Sequence, residues 1–370
     1  MINFENRLTK LKDRRQGTRE LDLIEKGYAT NATFDSRPIE YYESLTESAG
    51  VKYVIGAMAA VSPESTAVSI NEGERVADTL ISMLGTDNIH TVKRMQGSVA
   101  LDIHIEGHSD VDMLIIYRDL VTVQVPKLDG QPLAPCDDTR PMKDIIREVR
   151  TESEDKLTTR YYAANVDCTG NKSIALSGGS LKRKVDIVPA CWHNCHDYQR
   201  SYLEHDRTIK VYHKGDHELI ANKPFLHIKN VNDRDSIYDG NLKKVVRLMK
   251  NIVADLPANK HRVAKRLSSY DITGIAFNMD SRLRVPSFFP LALLQELNGY
   301  LWELSLDANA RSSIEVPDKT RKVFDSEEKE EALELLREEV SALCYAVHKE
   351  IAPFATEYSP QNLKDKIIAV

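Results

Sequence analysis

The stretch QGSVALDIHIEGHSDVDMLIIYRD, Gln96 to Asp119, decides how this chain is read. Its second half, Val111 to Tyr117, is an apolar run with the length and composition of a buried strand. Two carboxylates, Asp110 and Asp112, stand at the mouth of that run. Side chains alternate along a strand, so both point to one face. Taking an unpaired carboxylate out of water costs several kcal/mol, and two neighbours also repel each other. One explanation is a solvated strand end with lysine partners. The other is a divalent cation: hard oxygen ligands suit Mg²⁺, which takes one or two protein carboxylates and completes its shell with substrate phosphates.

The surroundings favour the cation. Gly97-Ser98 follows the strand-like TVKRMQ, and a Gly-Ser turn there exposes backbone N–H groups and a hydroxyl to phosphate oxygens. The spacer from Ser98 to Asp110 is long enough for a short helical turn before the chain returns as the Asp-bearing strand. A further carboxylate, Asp186, lies in LKRKVDIVPA between Val185 and Ile187. If that strand pairs with the first, three carboxylates gather. Three carboxylates around two cations make a site for phosphoryl transfer: one metal lowers the pKa of an attacking hydroxyl, and the other stabilises leaving pyrophosphate.

The 370 residues suffice for two lobes, and 42% hydrophobic with 29% charged content fits a globular chain. No apolar run is long enough to cross a bilayer, and the start MINFENRLTKLKDRRQG is too charged for a signal peptide. Five cysteines without framework spacing point to a reducing, cytoplasmic compartment. The net charge of −6 argues against gripping duplex DNA but leaves small anionic ligands open.

Along the chain, residues 1–37 read as an N-terminal helical arm and loop, 38–230 as a catalytic lobe with helices at its start, and 231–370 as a helical lobe. Helices are expected from Pro38 to about Ala60 and from Glu72 to Leu84, stopping at Gly85. Strands are expected at Thr91–Gln96, Val111–Tyr117, Ala163–Cys168, Lys184–Val188 and Phe225–Ile228. In NLKKVVRLMKNIVADL, the residues Leu242, Val245, Val246, Met249, Ile252, Val253 and Leu256 trace one helical face, with Lys243, Arg247 and Lys250 on another. The helix SEEKEEALELLREEVSALCYAVHKEI carries a Glu/Lys-rich solvated face. The fold class is therefore α/β (α+β), a mixed-sheet lobe followed by a helical lobe, with the active site expected in the cleft between them.

In order and spacing, the Gly-Ser turn, Asp-x-Asp and distant strand Asp resemble the nucleotidyltransferase superfold of DNA polymerase beta. Within it, QGS, GHSDVDMLI, VDIVPA, ANKPFLHIKN, NLKKVVRLMK, LSSYDITGI and EVPD resemble the bacterial cGAS/DncV-like nucleotidyltransferases (CD-NTases). The resemblance runs from about Gln96 to Asp318. It implies that Asp110 and Asp112 bind both Mg²⁺ ions (Mn²⁺ being a substitute), that Asp186 binds one and helps activate the acceptor 3′-hydroxyl, and that Ser98 contacts the donor triphosphate while Gly97 lets the backbone approach. It places Lys250 on the triphosphate, Ser269 beside it, and Tyr270 stacked on a base. The implied reaction joins nucleoside triphosphates, ATP among them, into a cyclic di- or trinucleotide with release of pyrophosphate. The product would be a second messenger for a separate effector in anti-phage defence. Rival readings are the same fold with another acceptor (RNA tailing, linear oligoadenylate synthesis or a nucleotidylating toxin) and a non-catalytic nucleotide-binding scaffold.

Three features fit less easily. After Gly-Ser the family often carries a basic or aromatic residue and then Gly-Thr, whereas this chain reads Val99-Ala100-Leu101-Asp102-Ile103; Asp102 has no role in that pattern. Cys191, His193, Cys195 and His196 crowd too tightly for a structural zinc site, and the zinc-binding insertion by which animal cyclic GMP-AMP synthases grip DNA is not found, so DNA activation is not expected. The tail SPQNLKDKIIAV reads as an exposed handle for a protein partner.

Overall fold

The computed structural model describes residues 2–25, 39–106, 109–134 and 136–368. In chain order the elements are α1 (Phe4–Glu25), α2 (Tyr41–Ser44), α3 (Ala49–Met58), α4 (Pro63–Gly85), β1 (Thr91–Gln96), α5 (Gly97–Ala100), β2 (Val111–Val123), α6 (Met142–Arg160), β3 (Asn165–Asp167), β4 (Ile174–Ser177), β5 (Val185–Asn194) and α7 (His196–Ser201). They continue with β6 (Thr208–His213), β7 (Glu218–Asn222), α8 (Pro224–Ile237), α9 (Asn241–Ala254), α10 (Ala258–Ala264), α11 (Ser269–Phe277), α12 (Pro290–Leu306), α13 (Ala308–Ser313), α14 (Glu327–Ile351) and α15 (Pro360–Lys364). By packing, the chain falls into two units. One comprises 62–101 and 109–230; the other comprises 1–61, 102–108 and 231–370.

The first unit is built on a seven-stranded mixed sheet, ordered β1-β2-β5-β4-β3, with β6 on the far half of β5 and β7 beyond it. Among the described residues only β2 and β5 pair in parallel; the other ladders are antiparallel. Those two strands are central, which explains their unbroken apolar runs: Met113, Leu114, Ile115 and Ile116 are all buried. On one face Val111, Met113, Ile115, Val185 and Ile187 pack with Val76 and Leu80 of α4 and Ile146 and Val149 of α6. Each such side chain contributes about 1.5–3 kcal/mol by burial. The opposite face carries Leu114, Val188, Ala190 and Trp192. By alternation, Asp112 and Asp186 belong to this second face. A Cβ at Gly73 of α4 would stand 2.5 Å from Val111 Cγ1, so the missing side chain lets α4 lie directly on the residue between the two carboxylates.

The second unit is helical. The apolar stripe read on α9 is its core, with Leu242, Val245, Val246, Met249 and Ile252 buried. Tyr53 of α3 donates its hydroxyl to Asp255 Oδ2 at 2.6 Å, joining α3 to the end of α9. On α14, Leu333, Leu336, Val340, Leu343 and Val347 form the buried face.

Several expectations need correction. Phe225–Ile228 is not a strand but the first turn of α8, where Pro224 supplies the fixed φ that suits a helix start. The helix expected from Glu72 starts at Pro63, with Ser62 accepting the N–H of Ser65 at 3.2 Å as cap. The helix expected from Pro38 is two pieces, α2 and α3, separated where Leu45 turns extended. The stretch through Val61, expected with the sheet lobe, packs with the helical unit, because Val51, Tyr53 and Val54 bury against it. The C-terminal segment is exposed at Pro360, Gln361, Asn362, Asp365 and Ile367 but is anchored at two points: Leu363 and Ile368 are buried, and the Ile368 N–H donates to Phe288 O at 3.0 Å. The loop expected after the N-terminal helix falls on 26–38, outside the described residues.

Candidate active site

The sheet gathers the catalytic candidates of its own unit along one line. In the ladders, Gln96 faces Asp112, Asp112 faces Asp186, Asp186 faces Ala175 and Ala175 faces Asp167. Residues paired in this way share a face, so Asp112, Asp186 and Asp167 project to the same side, with only the small Ala175 between the last two. Asp110 stands just before β2 on that side, opposite Lys184 by continuation of the register.

Gly97 follows β1 directly, and its conformation is forced. Its φ is +79°, and a Cβ there would lie 2.1 Å from Asp112 Oδ2. Only glycine meets both demands. Ser98 sits in the first turn of the four-residue α5, beside the Asp-bearing strand. The Gly97-Ser98 turn and the Asp-bearing strand are thus immediate neighbours.

Electrostatics mark Asp186. Burial pushes its carboxyl above the usual range, the charge of Asp110 adds to this, and Asp167 contributes in the same direction. A hydrogen bond from Ser173 Oγ to Asp186 Oδ2 at 3.1 Å, and then Lys184, pull the other way. Ser173 and Asp167 were not anticipated from sequence; only strand pairing brings them here. As the side chains stand, no group of three His, Cys, Asp or Glu among the described residues is gathered closely enough to hold a metal.

The remaining candidates lie in the helical unit. Ser269 opens α11, whose N-terminus is closed by a capping box between Ser268 and Asp271. Tyr270 is half-buried, and its hydroxyl donates to Asp318 Oδ2 at 3.0 Å; burial and that carboxylate push its pKa well above the ordinary value. Asp318 is the last residue of EVPD, which gives that motif a physical task. Lys250, assigned to the triphosphate by resemblance, is buried here and donates Nζ to Ile103 O at 3.0 Å. One turn earlier, Arg247 donates Nη1 to Asp102 O at 2.6 Å and Nε to Met58 O at 2.8 Å. Asp102 itself stands at φ +54°, with its carboxylate 3.7 Å from Arg247 Nη1. The residue that lacked a role therefore has a partner.

The Cys/His cluster disperses. Burial pushes the Cys191 thiol up to about 12 and, with Lys210, pulls His193 down to about 4. Cys195 Sγ donates to Asp206 O at 3.1 Å, and His196 Nε2 lies 3.0 Å from Pro126 O. These groups hold loops. Among the described residues, no helix is long and apolar enough to cross a membrane.

Comparison with known proteins agrees with the geometry. Residues 229–344 match the family model described as the cGAS/DncV-like nucleotidyltransferase C-terminal helical domain. The chain is 33% identical over 369 residues to the cyclic dinucleotide synthase CdnE of Yersinia aleksiciae, covering 96% of this chain and 95% of that one. It is 30% identical over 344 residues to a c-di-GMP synthase of Capnocytophaga granulosa, covering 85% and 91%. The solved structure of a STING-associated CdnE c-di-GMP synthase from Capnocytophaga granulosa superposes with a TM-score of 0.71 at 26% identity, covering 94% of this chain and 99% of that one. The chain is a nucleotidyltransferase and belongs to the cGAS/DncV-like nucleotidyltransferase family.

Proposed function

We propose that this enzyme condenses two nucleoside triphosphates into a cyclic dinucleotide and releases pyrophosphate at each bond formed. The observation that carries the reading is the register Gln96–Asp112–Asp186, which sets the Gly97-Ser98 turn, the Asp-x-Asp strand and the third carboxylate side by side. Relatives named cyclic dinucleotide synthase and c-di-GMP synthase support the product class, and the second name makes guanosine triphosphate a candidate substrate beside ATP.

Asp110, Asp112 and Asp186 fit a divalent cation: they are hard oxygen donors on adjacent strands, and the upward pull on Asp186 is the mark of charge that a cation relieves. Bound Mg²⁺ would neutralise triphosphate charge and lower the pKa of the acceptor hydroxyl. The N–H groups of the Gly97–Ser98 turn and the Ser98 hydroxyl receive phosphate oxygens. Asp186, oriented by Ser173, takes the proton of the attacking ribose hydroxyl as its oxygen forms the bond to the α-phosphorus. The bond to the β-phosphate bridging oxygen breaks, and pyrophosphate leaves with that electron pair. Closure repeats the step with the hydroxyl of the linear intermediate as attacker.

In the helical unit, the Tyr270 ring, held by its hydroxyl on Asp318, offers a face on which a base stacks, and Ser269 offers a hydroxyl. Lys250, buried on α9, brings the ammonium that the resemblance assigns to the triphosphate. Free thiols at Cys136, Cys168, Cys191, Cys195 and Cys344 suit a cytoplasmic enzyme. Its product would act on a separate effector in anti-phage signalling. Pyrophosphate release by Asp110→Ala/Asp112→Ala tests the assignment: it should vanish, and retained release means the metal site lies elsewhere.

A further inference from the structure

The carboxylate row has two flanks within the sheet unit, and their cations are used differently. On the β1 side, next to the Gly97-Ser98 turn, Lys93 pairs with Asp78 at 2.7 Å and Arg94 with Glu204 at 2.7 Å. On the β5 side, Lys182 and Lys184 are exposed, and among the described residues neither ammonium joins an ion pair. The Lys184 carbonyl accepts the Val111 N–H at 3.0 Å, which sets Lys184 beside Asp110 where β2 and β5 begin. Lys184 acts on the charge of Asp186, two residues on, yet forms no ion pair with it.

Exposure alternates along 181–186. Leu181 and Val185 are buried, and between them Arg183 donates to the hydroxyls of Ser65 and Ser69 on α4 at 2.9 and 3.2 Å. Lys182 and Lys184 fall between these anchors and stand in solvent, and Asp186 continues the same alternation. The anchors grip the chain from one side, so the two ammonium groups ride on held backbone at the entrance to β5. An ammonium is a compact point charge that binds phosphate oxygens without demanding a fixed fork geometry. Two of them, unspent and beside the carboxylates, are suited to an anion.

The reaction brings two triphosphates together, and the Gly97-Ser98 turn serves the donor alone. Asp186, which takes the proton of the acceptor hydroxyl, belongs to β5, and two residues of strand put it about 7 Å along the chain from Lys184. We propose that Lys182 and Lys184 hold the 5′-triphosphate of the second, acceptor nucleotide on the β5 flank of the carboxylate row. The inference rests on the reading that two nucleoside triphosphates meet at this row. Lysines that merely solvate a strand end would leave nucleotide affinity unchanged.

The test is equilibrium dialysis of the full chain with radiolabelled α,β-methylene analogues of ATP and GTP together, in the presence of Mn²⁺. The carbon bridge prevents release of pyrophosphate, so both nucleotides stay intact. Wild type should hold two nucleotides per chain. Lys182→Gln/Lys184→Gln should weaken one of them about 10-fold or more, as loss of charge-assisted hydrogen bonds does, and lessen its dependence on salt. Lys182→Arg/Lys184→Arg keeps the charge and should stay within about 3-fold of wild type. Adding Ser98→Ala to the glutamine pair should weaken the other nucleotide too. Wild-type affinity for both nucleotides in the glutamine pair overturns the proposal, as does equal loss in the arginine pair. A triple variant that keeps one nucleotide at full affinity also overturns it, because the lysines and Ser98 then serve the same triphosphate. Should the glutamine pair not fold, Lys184→Gln alone decides by the same criterion. Fewer than two nucleotides on wild type means that the two-triphosphate reading itself has failed.

Discussion

The carboxylate of Asp112 occupies the space in which a side chain at residue 97 would stand, 2.1 Å from the Cβ that Gly97 lacks. The two residues belong to different motifs, the Gly-Ser turn and the Asp-x-Asp strand. The β1–β2 register makes them neighbours. Gly97→Ala must therefore displace Asp112 or the turn, and it also places alanine at φ +79°. The strain is worth about 1–3 kcal/mol. Turnover is expected to fall about 100-fold or more, because a shift of an ångström at reacting groups costs that much. Thermal melting and single-turnover kinetics on the same preparation check both effects.

Asp186 carries a conflict between stability and function. Burial and Asp110 raise its carboxyl pKa, so the native state holds the proton more tightly than the unfolded chain does. For a raised carboxylate, native stability falls as pH rises through the window between the unfolded and native pKa values, because ionisation is the unfavourable step. Asp186→Asn removes that cost. Its melting temperature at neutral pH should exceed that of wild type while nucleotidyl transfer is abolished. A variant less stable than wild type would contradict the electrostatic account.

Under the proposed assignment the same group sets the acid side of cation binding. The Mn²⁺ affinity of the protein should decline on acidification at a pH above the ordinary aspartate range, as Asp186 takes up a proton. Ser173 donates to Asp186 Oδ2 and favours the ionised form, so Ser173→Ala should move the decline to still higher pH. Asp167→Asn removes a negative neighbour and should move it lower. Mn²⁺ affinity measured against pH in the two variants tests the opposite signs.

Tyr270 separates ring from hydroxyl. The hydroxyl binds Asp318, and the ring is the proposed base platform. Tyr270→Phe keeps the platform and should change KM by less than about 3-fold, while Tyr270→Ala loses stacking worth about 1–3 kcal/mol and should raise KM about 10- to 100-fold. Equal effects from the two substitutions would show that the hydroxyl, not the ring, matters.

The strand placement of the candidate carboxylates was legible in sequence because its signals are local. The apolar run of β2 fixes a strand, alternation puts Asp110 and Asp112 on one side, and Asp186 sits in a second run of the same kind. Other features depend on contacts that no window contains. Asp102 found no role in sequence because Arg247 is 145 residues away. Ser173 meets Asp186 only through the pairing of β4 with β5. Phe225–Ile228 looked like a strand because a short apolar run fits either period, and Pro224 decides for helix only when read as the first helical residue. The C-terminal tail looked exposed by composition, yet Leu363 and Ile368 are enough to seat it.

The central claim is that the Asp112–Asp186 row joins triphosphates to each other and closes the product. Its most direct measurement is mass spectrometry of the product formed from ATP and GTP with Mg²⁺ alone, after phosphatase treatment and with Asp110→Ala/Asp112→Ala as control. The account predicts a phosphatase-resistant species with the mass of a cyclic dinucleotide, made by wild type and not by the control. Products that stay phosphatase-sensitive, or that form equally with the control, would contradict it.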